Sequence, residues 1–111
     1  MYGGIIIDKI FGLIGLAKRA GKVSCGEAAC KDAIRIGKSR LVLIASDASK
    51  NTEKSIENSC KYYGVYCCKV ADKETLGKAV GNDFNVALSV NDDGFARNII
   101  KHIKANNKES E

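Results

Sequence analysis

Apolar side chains recur at helical spacing close to the start of the chain. Four of them are separated by intervals of three and four positions, the period of a helix that buries one stripe. They are Ile10, Phe11, Ile14 and Ala17. Asp8 stands where an N-cap is expected and Gly21 where a helix would end. The pattern predicts a first helix from Asp8 to about Ala20.

A second helical stripe follows after a short gap. Its apolar members are Ala29, Cys30, Ala33 and Ile34. Ser24 precedes the stripe and Glu27 lies three residues later, which is the spacing of a capping box whose two side chains satisfy the first amides of a helix. We therefore expect a second helix that begins just after Ser24 and ends at Gly37.

Three apolar runs of strand length follow, and they predict strands buried on both faces of a sheet. The runs are Leu41–Ala45, Val65–Val70 and Val86–Val90. A fourth, very short strand is expected around Lys22–Ser24, where it would add to an edge of the sheet. The remaining helices are expected at about residues 50–63, 72–80 and 95–105, after turn or cap residues at Ser46–Ser49, Asp72 and Asn91–Gly94.

The alternation of helices with short strands predicts the fold class. Such a chain buries both faces of its sheet under helices, so we expect an α/β protein, a three-layer α/β/α sandwich with a small mixed sheet of three to four strands. The length of 111 residues suits one domain with one sizeable core. We expect a single domain over residues 1–105 and a frayed C-terminal tail over residues 106–111.

The composition is that of an ordinary globular chain, with 45% hydrophobic and 28% charged residues. No apolar run approaches the roughly 18 residues that span a bilayer, and the apolar run near the N-terminus is too short for a signal peptide. These patterns predict a cytoplasmic protein without a membrane partner.

Positive charge is distributed unevenly along the chain. Residues 1–46 carry eight lysines and arginines against three acidic residues, a net charge of +5, whereas residues 47–111 carry ten of each kind. A basic segment of this kind predicts an acidic partner, most often nucleic acid. A solvated basic face is the alternative interpretation.

Residue types that carry catalysis are sparse and poorly spaced. The five cysteines form no CxxC pair and His102 is the single histidine, so we expect buried free thiols rather than a zinc site or a disulfide framework. No Walker motif, dinucleotide fingerprint or nucleophile beside a base is recognisable. We expect no enzyme activity, cofactor, metal or small-molecule substrate. A thiol redox role for Cys67 and Cys68 is disfavoured, because neighbouring residues on a strand point to opposite faces.

Residues 15–31, GLAKRAGKVSCGEAACK, combine three glycines with four cations. The first amides of the second helix, expected at residues 25–27, would be free at the positive end of the helix dipole. Four cations lie near this helix start in the sequence. They are Lys22, Lys31, Arg35 and Lys38. The combination is suited to binding phosphate.

Several segments together resemble a known family. They are GLAKRAGKV, Gly26 with Glu27, IRIGKSRLVLIASDAS and LGKAVG. Across about residues 10–101 the chain is similar to the kink-turn-binding ribosomal protein family shared by archaea and eukaryotes, and more closely to its small bacterial YlxQ-type members. The resemblance implies an α/β/α sandwich that binds structured RNA with a sharp bend in its helix axis. Such a protein is a non-enzymatic part of a ribonucleoprotein and can be associated with the ribosome.

The resemblance also implies which residues contact RNA. Family members grip the bend with the N-terminus of the second helix and with the loop after the LGxAxG element, and Gly26 matches the glycine that lets the backbone approach RNA. With the neighbouring cations, the expected RNA-binding residues are Lys22, Gly26, Glu27, Ala28, Lys31, Arg35, Lys38, Gly81, Asn82, Asp83 and Phe84. We expect a monomer whose partner is ribosomal or other kink-turn RNA.

The second loop is polar at Asn82-Asp83, where apolar contacts are common in the family, and three positions near the start of the second helix also depart from the family pattern. Family members usually place Asn or Lys, then Glu or Gln, at the second and third positions after the glycine, and Lys at the sixth. This chain has Ala28, Ala29 and Asp32 there, and alanine cannot hydrogen-bond to a base edge. These departures leave open an alternative, a protein-interaction module of the same fold that has lost specific RNA contacts.

Overall fold

The computed structural model describes the backbone of residues 2–110 and the side chains of residues 8–105. Helices and strands alternate along this part of the chain. The elements in order are α1 (Tyr2–Arg19), β1 (Val23–Cys25), α2 (Glu27–Arg35), β2 (Leu41–Ile44), α3 (Lys50–Tyr63), β3 (Cys67–Lys69), α4 (Lys73–Ala79), β4 (Ala87–Val90) and α5 (Asp93–Ser110).

The four strands form one mixed sheet in the order β1-β4-β2-β3. β4 runs antiparallel to both β1 and β2, while β2 and β3 are parallel. The central strands β2 and β4 are buried at every position, and the short strands β1 and β3 form the two edges. The expected edge strand near residues 22–24 is confirmed as β1.

Helices cover both faces of the sheet. α1, α4 and α5 pack on one face, where the buried side chains include Ile14, Leu76 and Ile99. α2 and α3 pack on the other face, around Ile34 and Ile56. Successive residues of β2 contribute to the two cores in turn, because side chains alternate along a strand. The predicted three-layer α/β/α sandwich is confirmed, with four strands in its mixed sheet.

Local signals begin and end α3 and α4 as the sequence predicts. Ser49 Oγ accepts a hydrogen bond from the Thr52 amide at 3.2 Å, and the Asp72 carboxylate accepts one from the Thr75 amide at 2.8 Å. The bonds from Thr75 lower the pKa of the Asp72 carboxyl, since they favour its charged form. α3 ends at Gly64, which has a left-handed φ of 72°.

The two terminal helices are longer than predicted. α1 begins at Tyr2, so the expectation that Asp8 caps it is wrong, and Asp8 lies inside the helix. α5 reaches Ser110, beyond the predicted end near Ala105. Neither segment contains proline, which would remove a helical hydrogen bond.

No helix among the described residues is both long and apolar enough to cross a bilayer. A single domain with a frayed tail over residues 106–111 stays a prediction.

The predicted capping box at the start of α2 is wrong. Ser24 lies inside β1, where it pairs with Ser89 and its Oγ accepts a hydrogen bond from the Asn91 side-chain amide at 3.0 Å. Gly26 is the N-cap residue of α2, and no side chain of the described residues caps this end. Strand pairing takes Ser24 away from the helix, so α2 begins two residues later than expected.

β3 is less buried than predicted. Residues Cys67–Lys69 of the predicted Val65–Val70 run pair with β2, and they are half-buried or exposed. An edge strand has one neighbour in the sheet and therefore one open side. The expectation of a strand buried on both faces is wrong for this run.

The five cysteines are free thiols, and Cys30 and Cys60 are buried. Cys67 faces the core under α2 and α3, whereas Cys68 faces the core under α1, α4 and α5. Burial raises the pKa of the Cys68 thiol to about 11 and that of Cys60 to about 12. Both thiols therefore stay protonated near neutral pH, which is the opposite of what thiolate chemistry needs.

Candidate nucleic-acid interface

One end of the sheet gathers several connecting segments. Ile44 at the end of β2 pairs with Ala87 at the start of β4 and with Lys69 at the end of β3. β1 ends at nearly the same level, because Cys25 pairs with the next residue of β4. We call this the Gly26 end of the sheet. The segments that meet there are Gly26–Ala29, Ser46–Ser49, Val70–Asp72 and Asn82–Val86.

Hydrogen bonds join these segments directly. The Gly26 amide donates to the Ala87 carbonyl at 2.9 Å. The Asp47 carboxylate accepts a hydrogen bond from the Lys73 amide at 2.9 Å and thereby links the loop after β2 to the start of α4. The start of α2 and the loop before β4 are thus held side by side.

Gly26 has a backbone conformation that other residues rarely adopt. Its φ of 96° and ψ of 161° lie in a region that is essentially restricted to glycine. A Cβ built on Gly26 would meet no described atom within 4 Å, so the space outside it is open. The conformation turns the chain from β1 into α2 and leaves that turn open to a ligand.

The amides available at the start of α2 differ from those predicted. Gly26 donates its own N–H to β4, and the first helical bond runs from the Cys30 amide to the Gly26 carbonyl at 3.0 Å. The amides of Glu27–Ala29 precede that bond and point out of the helix end. The Cys25 amide points to the open edge of β1, because hydrogen-bonded pairs alternate along an antiparallel ladder. The free amides at the start of the helix are therefore those of Glu27–Ala29, rather than those of residues 25–27.

Two side chains expected to bind RNA are held by α3. Glu27 Oε1 accepts a hydrogen bond from Thr52 Oγ1 at 3.0 Å, and Lys31 Nζ donates to Ser55 Oγ at 2.6 Å. With the exposed Ala28 they line a shallow hollow at the start of α2. An ammonium has three donor hydrogens, so Lys31 can bind an anion in the hollow and keep its bond to Ser55.

Asp32 and Arg35 form an exposed ion pair on α2. Arg35 Nη2 lies 3.2 Å from Asp32 Oδ1, and 62% of the Arg35 side chain and 71% of the Asp32 side chain are exposed. Water screens such a pair, so it contributes at most about 1 kcal/mol to stability. Asp32 also lines the hollow at the start of α2. The exposed pair with Arg35 therefore only partly offsets the negative charge that Asp32 brings to the hollow.

Lys22 and Lys38 lie at the opposite end of the sheet, which corrects the prediction that they surround the start of α2. The Lys22 carbonyl accepts a hydrogen bond from the Asn91 amide, just beyond the end of β4. Lys38 lies between α2 and β2, and the first residue of β2 pairs with the last residue of β4. The nine residues of α2 span about 13 Å, so α2 carries the chain to the far end of the sheet before Lys38.

The second predicted segment, Gly81–Phe84, follows α4. Gly81 has a φ of 80°, a left-handed backbone that favours glycine, and it turns the chain back towards β4. Phe84 is 69% exposed and has an apolar ring that a ligand could contact. A second hollow at this loop is lined by Glu74, Lys78, Asn82, Asp83 and Phe84.

Gly77 determines the path of this loop from inside α4. A Cβ at Gly77 would lie 2.8 Å from the carbonyl oxygen of Asn82 and 2.9 Å from the carbonyl group of Asp83. The Gly77 carbonyl also accepts a hydrogen bond from the Asn82 amide at 2.8 Å. The loop therefore occupies the space that a side chain at position 77 would need. This explains why the first residue of GKAVG in the LGKAVG segment is glycine.

We expect Gly77→Ala to displace the loop at residues 81–84 and to lower the free energy of unfolding. Alanine favours a helix over glycine by about 1 kcal/mol, but forced overlap in a packed region costs about 1–3 kcal/mol. Chemical denaturation measures the loss, and the amide resonances of residues 82–84 report the displacement. Gly12→Ala is the control, since that Cβ would meet no described atom within 4 Å. Equal stability of the two variants would contradict the packing argument.

The loop Ser46–Ser49 lies at the Gly26 end of the sheet although it was not among the predicted site residues. Its sequence indicates a turn and a cap for α3. Its position beside Gly26 depends on the pairing of β2 with β4, which joins Ile44 to Ala87. No local pattern signals a contact between segments so far apart in the chain.

Two kinds of hydrogen-bond donor lie at the start of α2, beside the acidic side chains of Glu27 and Asp32. The donors are the amides at the start of α2 and the ammonium of Lys31, and donors of this kind bind anions. Among residues 8–105, no three His, Cys, Asp or Glu side chains come together where they could hold a metal ion. The amides and Lys31 are therefore the groups at the start of α2 that could bind an anion.

Known proteins match most of this chain. It is 42% identical over 90 residues to RNA-binding protein YlxQ of Bacillus subtilis (strain 168), covering 81% of this chain and 90% of that protein. It is 30% identical over 99 residues to large ribosomal subunit protein eL8 of Cenarchaeum symbiosum (strain A), covering 88% and 79%. The fold matches a Giardia lamblia 15.5kD RNA binding protein with a TM-score of 0.76 at 18% identity, over 91% of this chain and 89% of that one. The resemblance inferred from the sequence is confirmed, because the model of the ribosomal protein L7Ae/L30e/S12e/Gadd45 family matches residues 8–108 and the chain belongs to this family.

Proposed function

We propose that the protein binds structured RNA with a sharp, kink-turn-like bend and does so without catalysis. Family membership supports RNA binding, since the Bacillus subtilis relative is named RNA-binding protein YlxQ. The hydrogen bond from Gly26 to Ala87 carries the proposal, because it puts the start of α2 beside the loop at residues 81–84. An RNA bend that presents a phosphate and an unstacked base close together can engage both segments at once, whereas a straight duplex offers no unstacked base to the second segment.

The start of α2 would bind a phosphate of this RNA. The amides of Glu27–Ala29 and the positive end of the helix dipole face the ligand. Lys31 adds a full positive charge in the same hollow, where its bond to Ser55 orients the ammonium. The open turn at Gly26 allows the RNA backbone to approach the protein backbone.

The loop at residues 81–84 would contact an unpaired base. Phe84 exposes its ring, and unstacked bases in RNA loops and bulges commonly stack on aromatic side chains. Asn82 supplies an amide that can hydrogen-bond to a base edge or ribose, whereas Asp83 lines the same hollow and would repel a phosphate there. The two segments would therefore have different roles. The start of α2 would bind a phosphate, and the loop at residues 81–84 would stack on a base.

Recognition on this surface would depend on RNA shape more than on base sequence. Ala28 and Ala29 stand where the family usually has side chains that can hydrogen-bond to bases, and neither alanine can do so. Arg35, Lys22 and Lys38 lie away from the start of α2, so they would contact RNA only where it extends along that helix. The protein would act as a cytoplasmic monomer within a ribonucleoprotein.

Filter binding across a salt series tests the proposal. We expect a kink-turn RNA to bind more tightly than a straight duplex of equal length, because both segments engage it. Affinity should fall with salt, with a log-log slope of about −0.7 to −0.9 for each neutralised phosphate. Equal affinities for the two RNAs, or affinity independent of salt, would contradict shape-specific binding.

A protein-interaction module of the same fold is the second candidate. Ala28, Ala29 and Asp32 favour it, because none of them supplies the contact usual in the family. Protein partners that co-purify after nuclease treatment, together with no binding to kink-turn RNA, would support this candidate over the first.

A further inference from the structure

A groove near the β1 edge carries Lys18 and Arg19, which lie outside the surface proposed above. It lies between the C-terminal parts of α1 and α4, and we call it the α1/α4 groove. Among the described residues that line it, three are cations and none is acidic, and most of the uncharged residues are small. The residues that form it are Gly15, Lys18, Arg19, Lys78, Ala79 and Gly81, with Val80 completing the wall.

The cations of the α1/α4 groove are accessible to an anionic ligand. Lys18 and Arg19 are exposed in the last turn of α1. Lys78 Nζ lies 3.4 Å from a Glu74 carboxylate oxygen, but 75% and 65% of the two side chains are exposed. An ion pair of this kind is weak and is readily exchanged for another anion. All three cations can therefore turn towards a ligand in the groove.

The small residues of the groove leave space for a ligand beside the protein backbone. Gly15 lies against α4, since a Cβ there would stand 3.7 Å from the Ala79 carbonyl oxygen. Without large side chains at Gly15, Ala79 and Gly81, an elongated ligand can lie close to the protein backbone. A guanidinium binds phosphate oxygens through two parallel hydrogen bonds, and an ammonium acts as a point charge. A phosphodiester chain can therefore lie along the small residues while its phosphates contact the three cations.

The groove is continuous with the surface proposed to bind the RNA bend. Lys78 lines both the groove and the hollow at Phe84. Burial raises the pKa of the Cys25 thiol, and the ammonium of Lys18 partly offsets that rise. Lys18 is thus within electrostatic range of the residue that precedes Gly26. A strand in contact with Phe84 can pass over Lys78 to Lys18 without leaving the protein surface.

We propose that the α1/α4 groove binds the backbone of an RNA strand that leaves the bend, with Lys18 and Arg19 each contacting a phosphate. Lys78 contacts the strand where it passes from the loop at Phe84 into the groove. The inference rests on the proposed function and extends its contact surface to the β1 edge. It explains why α1 contributes to the positive charge of residues 1–46.

A structural role for the same cations makes different predictions. Charged side chains beside an open edge strand prevent pairing with another chain, and cations in the last turn of a helix interact favourably with its dipole. Neither role involves RNA. Removing the charges would then change self-association or stability and leave RNA affinity unaltered.

The test is the Lys18→Ala/Arg19→Ala double variant in filter binding with a kink-turn RNA that has two long arms. Two lost phosphate contacts should reduce the salt slope by about 1.4–1.8 and the affinity roughly 25- to 60-fold at 0.1 M salt. The control is Lys61→Ala/Lys101→Ala, which removes the same charge from exposed positions of α3 and α5. Thermal melting establishes that both double variants are folded.

Trimming the RNA separates a bound strand from general charge attraction. Removing the arm that crosses the groove should weaken binding of the unmodified protein and abolish the difference between it and the Lys18→Ala/Arg19→Ala variant. Removing the other arm should leave that difference in place. An equal loss on every RNA would overturn the proposal, because a non-specific attraction does not depend on one arm.

The result for the groove can be distinguished from the result for the proposed function. If the Lys18→Ala/Arg19→Ala variant behaves like the control while Lys31→Glu weakens binding, the groove proposal is wrong and the proposed function stands. If the unmodified protein binds no kink-turn RNA, both are wrong. A loss confined to the Lys18→Ala/Arg19→Ala variant and to one arm supports the groove.

Discussion

Replacing Gly26 with alanine is expected to weaken binding of kink-turn RNA at least tenfold and to lower the free energy of unfolding by about 1–3 kcal/mol. Gly26 has a φ of 96°, which a residue with a Cβ adopts only under strain. Relief of that strain would rotate the turn between β1 and α2 and change the direction in which the amides of Glu27–Ala29 point. It would also disturb the bond from Gly26 to Ala87, which holds the two proposed RNA-binding segments together.

Filter binding and chemical denaturation of the same Gly26→Ala preparation measure both effects. Gly12→Ala is the matched control, because Gly12 is exposed inside α1 and has no described atom within 4 Å of a built Cβ. Alanine at an exposed helical position is expected to be neutral or to stabilise the protein by up to about 1 kcal/mol. Unchanged RNA affinity in the Gly26→Ala variant would show that the turn does not form part of the binding surface.

Reversing the charge of Lys31 is the second change with a large expected effect. One lost phosphate contact lowers affinity about five- to eightfold at 0.1 M salt. The new carboxylate of Lys31→Glu would add repulsion in a hollow that Glu27 and Asp32 already line, so we expect a loss of tenfold or more. The fold should be retained, because a glutamate can accept a hydrogen bond from the Ser55 hydroxyl that now accepts one from Lys31.

The control for this prediction is Lys61→Glu, which reverses an exposed charge near the end of α3, remote from the Gly26 end. Arg35→Glu should have a smaller effect than Lys31→Glu, because Arg35 lies at the C-terminal end of α2 and is paired with Asp32. Melting temperatures identify any variant that loses affinity through unfolding. Equal affinities of the Lys31→Glu and Lys61→Glu variants would place the phosphate contact elsewhere.

Elements with strong local signals were predicted most accurately. α3 has the bounds expected from the sequence, because Ser49 caps one end and Gly64 ends the other. Asp72 caps α4 as predicted. These signals act within one turn of helix, so they do not depend on the rest of the molecule. The apolar runs of β2 and β4 were likewise recognisable, since both strands are buried on both faces.

Predictions failed where a distant partner competes with a local signal. Ser24 and Glu27 have the spacing of a capping box, but β4 pairs with Ser24 and α3 supplies Thr52 to the Glu27 carboxylate. The sequence also placed Lys22 and Lys38 beside the start of α2, because they are close in the chain. α2 and the strand order separate them from Gly26 by the length of the sheet.

The fold class and the family are recognisable from residue types and short spacings, which are present in the chain before it folds. The two segments proposed to bind RNA are implied by the resemblance to that family. The tertiary structure was needed to identify the free amides at the start of α2, the cation that lies near them and the basic groove between α1 and α4. Those features depend on which strands pair, and strand pairing joins residues as far apart as Gly26 and Ala87.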